Sequence, residues 1–315
     1  MTSEQFLAAP QRRRAYWHAL LTLAVLVAVV WLARRHWAVL ETGAVRLAVA
    51  DRGWLLVAAA ATLVTWPCSA LAQQGAVPRR LPPGRLVAGQ FAASAANHVL
   101  PAGLGAGAVN LRFLIRCGMP IGAAATAIAV KGTTGAILRG ALIAVLFFAA
   151  GPGLLHLPHV SGGVLIAGCA TVAAAIVLLS GPLWHRCRRA LAAAWAYIVA
   201  VHARPVRAAA LWGGSLAFVT LHCAVLIAVS RAVALPLPPA RVALLYLAAS
   251  TAAALLPTPG GLGSLDAVLA LALTAAGAPA TAAASAVLGY RLLTVWLPLI
   301  PGLIVLAVLV RRGAL

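Results

Sequence analysis

Apolar residues run along this chain in blocks too long for the core of a soluble domain, and the polar residues between them fall into short clusters. The runs Leu20 to Ala33, Gly53 to Leu71, Val164 to Leu179, Ala208 to Val229 and Leu292 to Val310 meet or approach the length that crosses a bilayer as a helix. Two further apolar regions are interrupted by nearly the same words: Leu-Pro-Ala-Gly-Leu-Gly from Leu100 to Gly105, and Leu-Pro-Thr-Pro-Gly-Gly-Leu-Gly from Leu256 to Gly263. Irregular backbone at membrane depth leaves N–H and C=O groups without partners. It survives only where it is packed in protein or lines a polar cavity, so such breaks point to binding sites in transporters.

The likeness continues past the breaks. Gly118-Met-Pro120 matches Gly277-Ala-Pro279, and Ala123 to Ile128 matches Ala282 to Val287, both at an offset of 159. Each copy reads as a short helix (Leu86 to Leu100; Arg241 to Leu256), a Pro/Gly turn, a second short helix (Leu104 to Arg116; Leu262 to Ala276), a small connector helix and one full span. The expected spans around them are Tyr16 to Ala33, Gly53 to Leu71, Thr134 to Leu155, Val164 to Leu179, Ala208 to Val229 and the last run. Placing the arginine clusters inside makes the first hairpin open from the cytoplasm beside Arg79, Arg80 and Arg85, and the second from the opposite face. The expected fold is therefore an all-α, polytopic helical membrane bundle. It is a single domain over residues 1–315 with two inverted repeats, about 86–155 and 241–312, each holding a Pro/Gly-broken hairpin that either dips into the membrane as a re-entrant pair or crosses it twice, returning to its starting side.

Composition sharpens this picture. The chain is 63% hydrophobic and 9% charged, and carries a formal net charge of +20, with 24 basic residues against Glu4, Glu41, Asp51 and Asp266. In a soluble protein that balance would suggest nucleic acid. Here the arginines sit in short segments between apolar runs, which fits loops held against anionic headgroups, and nucleic acid is not an expected partner. The first apolar run continues to a double arginine, so it is expected as an uncleaved span rather than a signal peptide. Five dispersed cysteines have neither disulfide nor zinc spacing, and no metal or cofactor is expected. Tryptophans near span ends read as an aromatic belt.

The candidate chemistry gathers at the breaks. Around the first stand Asn97, His98, Asn110, Arg112 and Arg116, donors and positive charges suited to a phosphate headgroup. Around the second, Asp266 opens an apolar helix where the helix dipole favours a negative charge; it is a candidate proton or cation site or a partner for a basic ligand group, with Arg291 as its expected partner if the second hairpin folds back on the last span. The alternative readings are ordinary interfacial anchors for Arg112 and Arg116, a helix-start carboxylate for Asp266, and a structural histidine for His98. Lys131, the one lysine of the chain, is expected to snorkel at the interface between connector and span.

Taken in order, Asn97, His98, Pro101, Gly103 and Gly105 followed by Arg112 and Arg116, then Pro257, Pro259, Gly260, Gly261, Gly263 and Asp266 followed by Arg291, resemble the lysylphosphatidylglycerol synthase transmembrane (flippase-like) family over nearly the whole chain. Two departures stand out: Asp266 takes the place of the family's usual Glu, and Gly105-Ala-Gly107 replaces a Gly-Gly pair. The resemblance implies translocation of an anionic phospholipid or a lipid-linked substrate across the bacterial cytoplasmic membrane, with the residues just named as its substrate site. It implies no enzymatic role, since the soluble synthase domain of other members is not in this sequence. The competing expectations are an integral membrane enzyme acting on lipid or polyprenyl carriers and a membrane partner for a separate synthase.

Overall fold

The computed structural model describes residues 37–99, 104–149, 192, 195–254 and 263–315, and every regular element there is helical. The spans expected at Tyr16 to Ala33 and Val164 to Leu179 lie outside the described residues, as do Pro101, Gly103, Pro257, Pro259, Gly260 and Gly261 at the two breaks. The elements are α1 (Trp37–Ala48), α2 (Arg52–Gly75), α3 (Pro83–Val99), α4 (Leu104–Arg116), α5 (Ile121–Ala149), α6 (Pro205–Ala232), α7 (Pro239–Ala254), α8 (Ser264–Ala275), α9 (Ala280–Arg291) and α10 (Leu297–Arg311). A π-helical turn, Leu292–Trp296, joins α9 to α10.

The structural spine is the antiparallel pair α2 and α6. Asp51 starts α2 by accepting from the N–H groups of Gly53 (2.7 Å) and Trp54 (3.2 Å), an N-cap that satisfies two otherwise orphaned donors. The Asp51 N–H donates to the carbonyl of Ala232, the last residue of α6. At the far end Gly75 lies against the start of α6, where a Cβ would come within 2.3 Å of the Leu211 nitrogen; Gly214 approaches Ala72 in the same way, at 2.6 Å. Small residues let two backbones meet at this distance, which is how apolar helices associate in lipid, where no hydrophobic force drives them together.

Each hairpin starts where a spine helix ends. The pair α3 and α4 follows α2, and the pair α7 and α8 follows α6, so the antiparallel spine makes the two hairpins open at opposite ends. Their exits are built identically. Gly118 (φ +81°) and Gly277 (φ +97°) hold the left-handed conformation that closes α4 and α8. The bonds Gly118 N–H to Ile115 and Met119 N–H to Leu114 recur as Gly277 to Thr274 and Ala278 to Leu273. This is a Schellman cap, and glycine supplies its positive φ without a Cβ clash.

The helices that follow correct the expectation of a separate connector and span. Residues 121–149 form one 29-residue helix, and Ala280–Arg311 is a continuous 32-residue apolar segment carrying the π turn. Gly132, Gly135 and Gly140 do not break α5. With no water to take up freed backbone groups, the intra-helical bonds are kept, and glycine becomes tolerable where it would end a helix in solution.

Four helices among the described residues are long and apolar enough to cross a membrane: α2, α5, α6 and the α9–α10 segment. Their outward faces carry large apolar side chains, such as Leu56, Phe148 and Ile300 at 71%, 80% and 68% exposure, a surface that belongs in lipid rather than water. Inside, among the described residues, are two large cores and a small cluster of Ala76, Val130, Val201 and Leu211. One joins α3, α4, the start of α5 and the end of α10 through Leu86, Phe113, Leu114, Ala124 and Leu309. The other joins α6 to α9 through Leu226, Leu247, Leu269, Leu273 and Tyr290.

Candidate functional site

Between these two cores runs a cavity of about 470 Å³, lined by α2, α3, α4, α5 and α6 together with Thr294 of the π turn. Its α5 wall is one stripe of that helix: Ile128, Lys131, Gly132, Gly135, Ala136 and Arg139, residues spaced to share a face. Lys131 stands ten residues after Ile121 and Arg139 ten before Ala149, which places both about 15 Å from a helix end and about 12 Å apart along the axis. Gly132 and Gly135 make the hollow: a Cβ on either would meet nothing within 4 Å.

The correction at Lys131 follows directly. Its amine does not snorkel to an interface but reaches into the cavity. Lys131 Nζ donates to Ser69 Oγ (2.9 Å) and to Gln90 Oε1 (2.8 Å), and Ser69 Oγ donates to the same Gln90 oxygen (2.9 Å). Gln90 Nε2 donates to Asn110 Oδ1 (2.6 Å), and Asn110 Nδ2 to the Ala106 carbonyl (2.8 Å). Four helices thus contribute one polar chain around one ammonium. A lysine at mid-depth costs about 2.5–3.5 kcal/mol on insertion scales, and such residues face a cavity and pair with polar groups, as this one does. Of its three N–H donors two are spent on these bonds, leaving one for the cavity.

Other lining groups are also unspent. Gln73 is 1% exposed, and its Nε2 has no partner among the described residues; Arg139 Nε is likewise buried without one. His222 Nδ1 donates to the Phe218 carbonyl (2.9 Å), which in the neutral ring leaves Nε2 as an acceptor. By contrast the hydroxyls of Thr62 and Thr65 are satisfied by carbonyls of their own helix. Trp66 also lines this wall, edge-on to Phe91 at 4.5 Å, well inside α2 rather than in an interfacial belt. Among the described residues, no Asp or Glu lines the cavity. Chemically the cavity combines two basic side chains and several unspent donors with the neutral acceptor His222 Nε2, a lining weighted toward an oxyanion.

The residues expected at the first break divide. Asn97 lines the cavity. His98 is half-buried outside it, and Arg112 and Arg116 lie exposed on α4, also outside it. Gly105 is a packing residue, because a Cβ there would lie 2.0 Å from the Ala96 carbonyl oxygen. At the second break Arg291, 5% exposed, forms the expected ion pair with Asp266 through Nε and Oδ1. The other carboxylate oxygen accepts from the Gly263 N–H (2.9 Å), and Gly263 itself sits at φ +80°. The pair ties α8 to the end of α9 and lines no part of the cavity. Sequence reasoning passed over Arg139, Gln73, Gln90 and Ser69. The available signal was a lone lysine eight residues before an arginine, with glycines between them, inside an apolar run.

Residues 19–302 match the family model described as the lysylphosphatidylglycerol synthase TM region, a span that contains every cavity-lining residue. The chain matches none of the curated proteins compared with it.

Proposed function

Because the chain belongs to the lysylphosphatidylglycerol synthase TM region family, membrane proteins tied to lipid modification or transport, we propose that it translocates a phospholipid or lipid-linked substrate across the bacterial cytoplasmic membrane and performs no covalent chemistry. The observation that carries this reading is the pair Lys131 and Arg139 in a cavity at mid-depth on the seam between two cores. A transported headgroup must be sheltered from lipid midway across, and transporters hold their substrates there, at a repeat interface.

The repeats are read as inverted. Supporting this, the spine helices run antiparallel, the hairpins open at opposite ends, and the long helix after each hairpin packs on the other one: α5 on α7, α10 on α3. Both hairpins are read as re-entrant, since α3, α4, α7 and α8 have only 17, 13, 16 and 12 residues. Arg79 beside Gly118, Arg207 beside Gly75, and Arg85 with Arg312 on one groove gather positive charge at the end of the spine away from Arg52 and Arg231, and the positive-inside rule favours that richer end as cytoplasmic. Rocking of one core against the other opens the cavity alternately to the two sides.

The test is reconstitution in vesicles with fluorescent phospholipids in both leaflets and a membrane-impermeant quencher outside. Expected is protein-dependent movement of labelled lipid that Lys131→Gln reduces by tenfold or more. Absence of movement for every lipid in a broad panel refutes the proposal.

A further inference from the structure

We propose that the mid-depth cavity is a charge filter: it accepts a headgroup carrying an uncompensated phosphate and rejects one whose charge is cancelled or reversed by an added amino group, as in aminoacyl esters of phospholipids. The inference rests on reading this cavity as the headgroup site, and it narrows the substrate class.

The argument begins with what could hold an ammonium. The whole chain has four carboxylate side chains. Asp51 caps α2 at the end of the spine, Asp266 is held by Arg291 and Gly263, and Glu41 is exposed on α1; Glu4 lies outside the described residues. None of the described three reaches the cavity. A cationic headgroup would therefore enter a space walled by Lys131 and Arg139 with no carboxylate from the described residues to offset them. In surroundings far less polarisable than water, a like charge a few ångströms away changes affinity by more than tenfold.

The unmatched donors point the same way, and the acceptor that a neutral His222 ring offers through Nε2 brings no negative charge to offset Lys131 and Arg139. Gln73 Nε2 and Arg139 Nε are buried without partners, and Lys131 has one N–H unspent. All three are donors. A phosphate, which is all acceptor, completes them; an ammonium, which is all donor, would add to the surplus. Gln90 cannot turn its oxygen to greet an ammonium, because that oxygen already accepts from Ser69 and Lys131 while its nitrogen is held by Asn110.

The experiment is lipid retention by the full chain in phosphatidylcholine nanodiscs, read by native mass spectrometry, with phosphatidylglycerol, its lysyl ester and inorganic phosphate as probes. Expected is at least tenfold stronger retention of phosphatidylglycerol than of the lysyl ester by the unaltered protein, a comparison that needs no variant. Arg139→Gln lowers phosphatidylglycerol retention by tenfold or more, and Lys131→Glu narrows or reverses the preference. Equal retention of the two lipids, or preference for the lysyl ester, overturns the filter while leaving lipid translocation standing. Retention of neither lipid overturns both. Retention of inorganic phosphate alone keeps the anion preference and removes the lipid as its source.

Discussion

The two hairpins share a backbone plan and differ in what they do with it. Both close on a glycine with positive φ and the same pair of bonds, 159 residues apart. The first, α3 and α4, turns Gln90, Asn97 and Asn110 toward the cavity and meets Lys131 there. The second, α7 and α8, turns apolar Leu247, Leu269 and Leu273 into a core and binds its one carboxylate to Arg291. One copy presents polar groups and the other holds the frame. A duplicated unit needs only one of its copies to carry ligand chemistry, provided the other supplies a rigid surface for it to move against.

The largest effect that would test this division is at Arg291. Arg291→Leu strands the Asp266 carboxylate and should cost about 3 kcal/mol of stability, seen as a lowered thermal unfolding midpoint in detergent, with headgroup affinity of the folded fraction changed less than about threefold. A large affinity loss with normal stability would break the comparison, because the second hairpin would then hold ligand. The mirror experiment is Lys131→Met. It removes a charged donor from the cavity and should weaken lipid retention by about 2 kcal/mol, some thirtyfold, while sparing the midpoint more than Arg291→Leu does.

Smaller effects sharpen the shared plan. Gly118→Ala and Gly277→Ala should each destabilise by about 1–2 kcal/mol in chemical unfolding, nearly equally, since each forces a Cβ into the same left-handed turn. Unequal losses would mean that the caps are alike in geometry alone. The smallest change is expected at Gly135→Ala. A Cβ there meets nothing, so helix stability should rise by up to about 1 kcal/mol while the cavity narrows, and slower lipid movement in a more stable protein would locate the substrate path beside α5.

Much of this was legible in the sequence for physical reasons that can be named. Hydropathy blocks marked α2 and α6 to within three residues at most ends, and α4 fell at Leu104 to Arg116 as read. The 159 offset paired Gly118 with Gly277, and the structure shows why that pair recurs: glycine fills a Schellman turn at no steric cost. The Asp266 and Arg291 pair was legible because both charges stand inside apolar sequence, where a carboxylate needs a cation.

Lys131 was not, and the fault lay in the helix boundary. The sequence Lys131-Gly-Thr-Thr-Gly135 has the composition of a soluble-protein turn, which fits a span beginning at Thr134 and a lysine at the interface. In lipid the backbone cannot afford that turn, the helix runs through, and the same lysine moves to mid-depth. Arg112 and Arg116 failed for a related reason. Proximity to the break in sequence says nothing about which face of α4 looks inward, and theirs looks away from the cavity.

The π turn at Leu292–Trp296 bears on how the last helix serves both cores. A wide turn holds one residue more than an α turn, so everything after it is rotated by about 100° relative to an unbroken helix. That phase offset lets α9 address α1 and α6 while α10 addresses α3, with Thr294 left over to touch the cavity from the turn itself. Deleting one residue there would swing the lipid-facing side of α10 inward and its packed side outward, so this short segment tolerates substitution far better than any change in length.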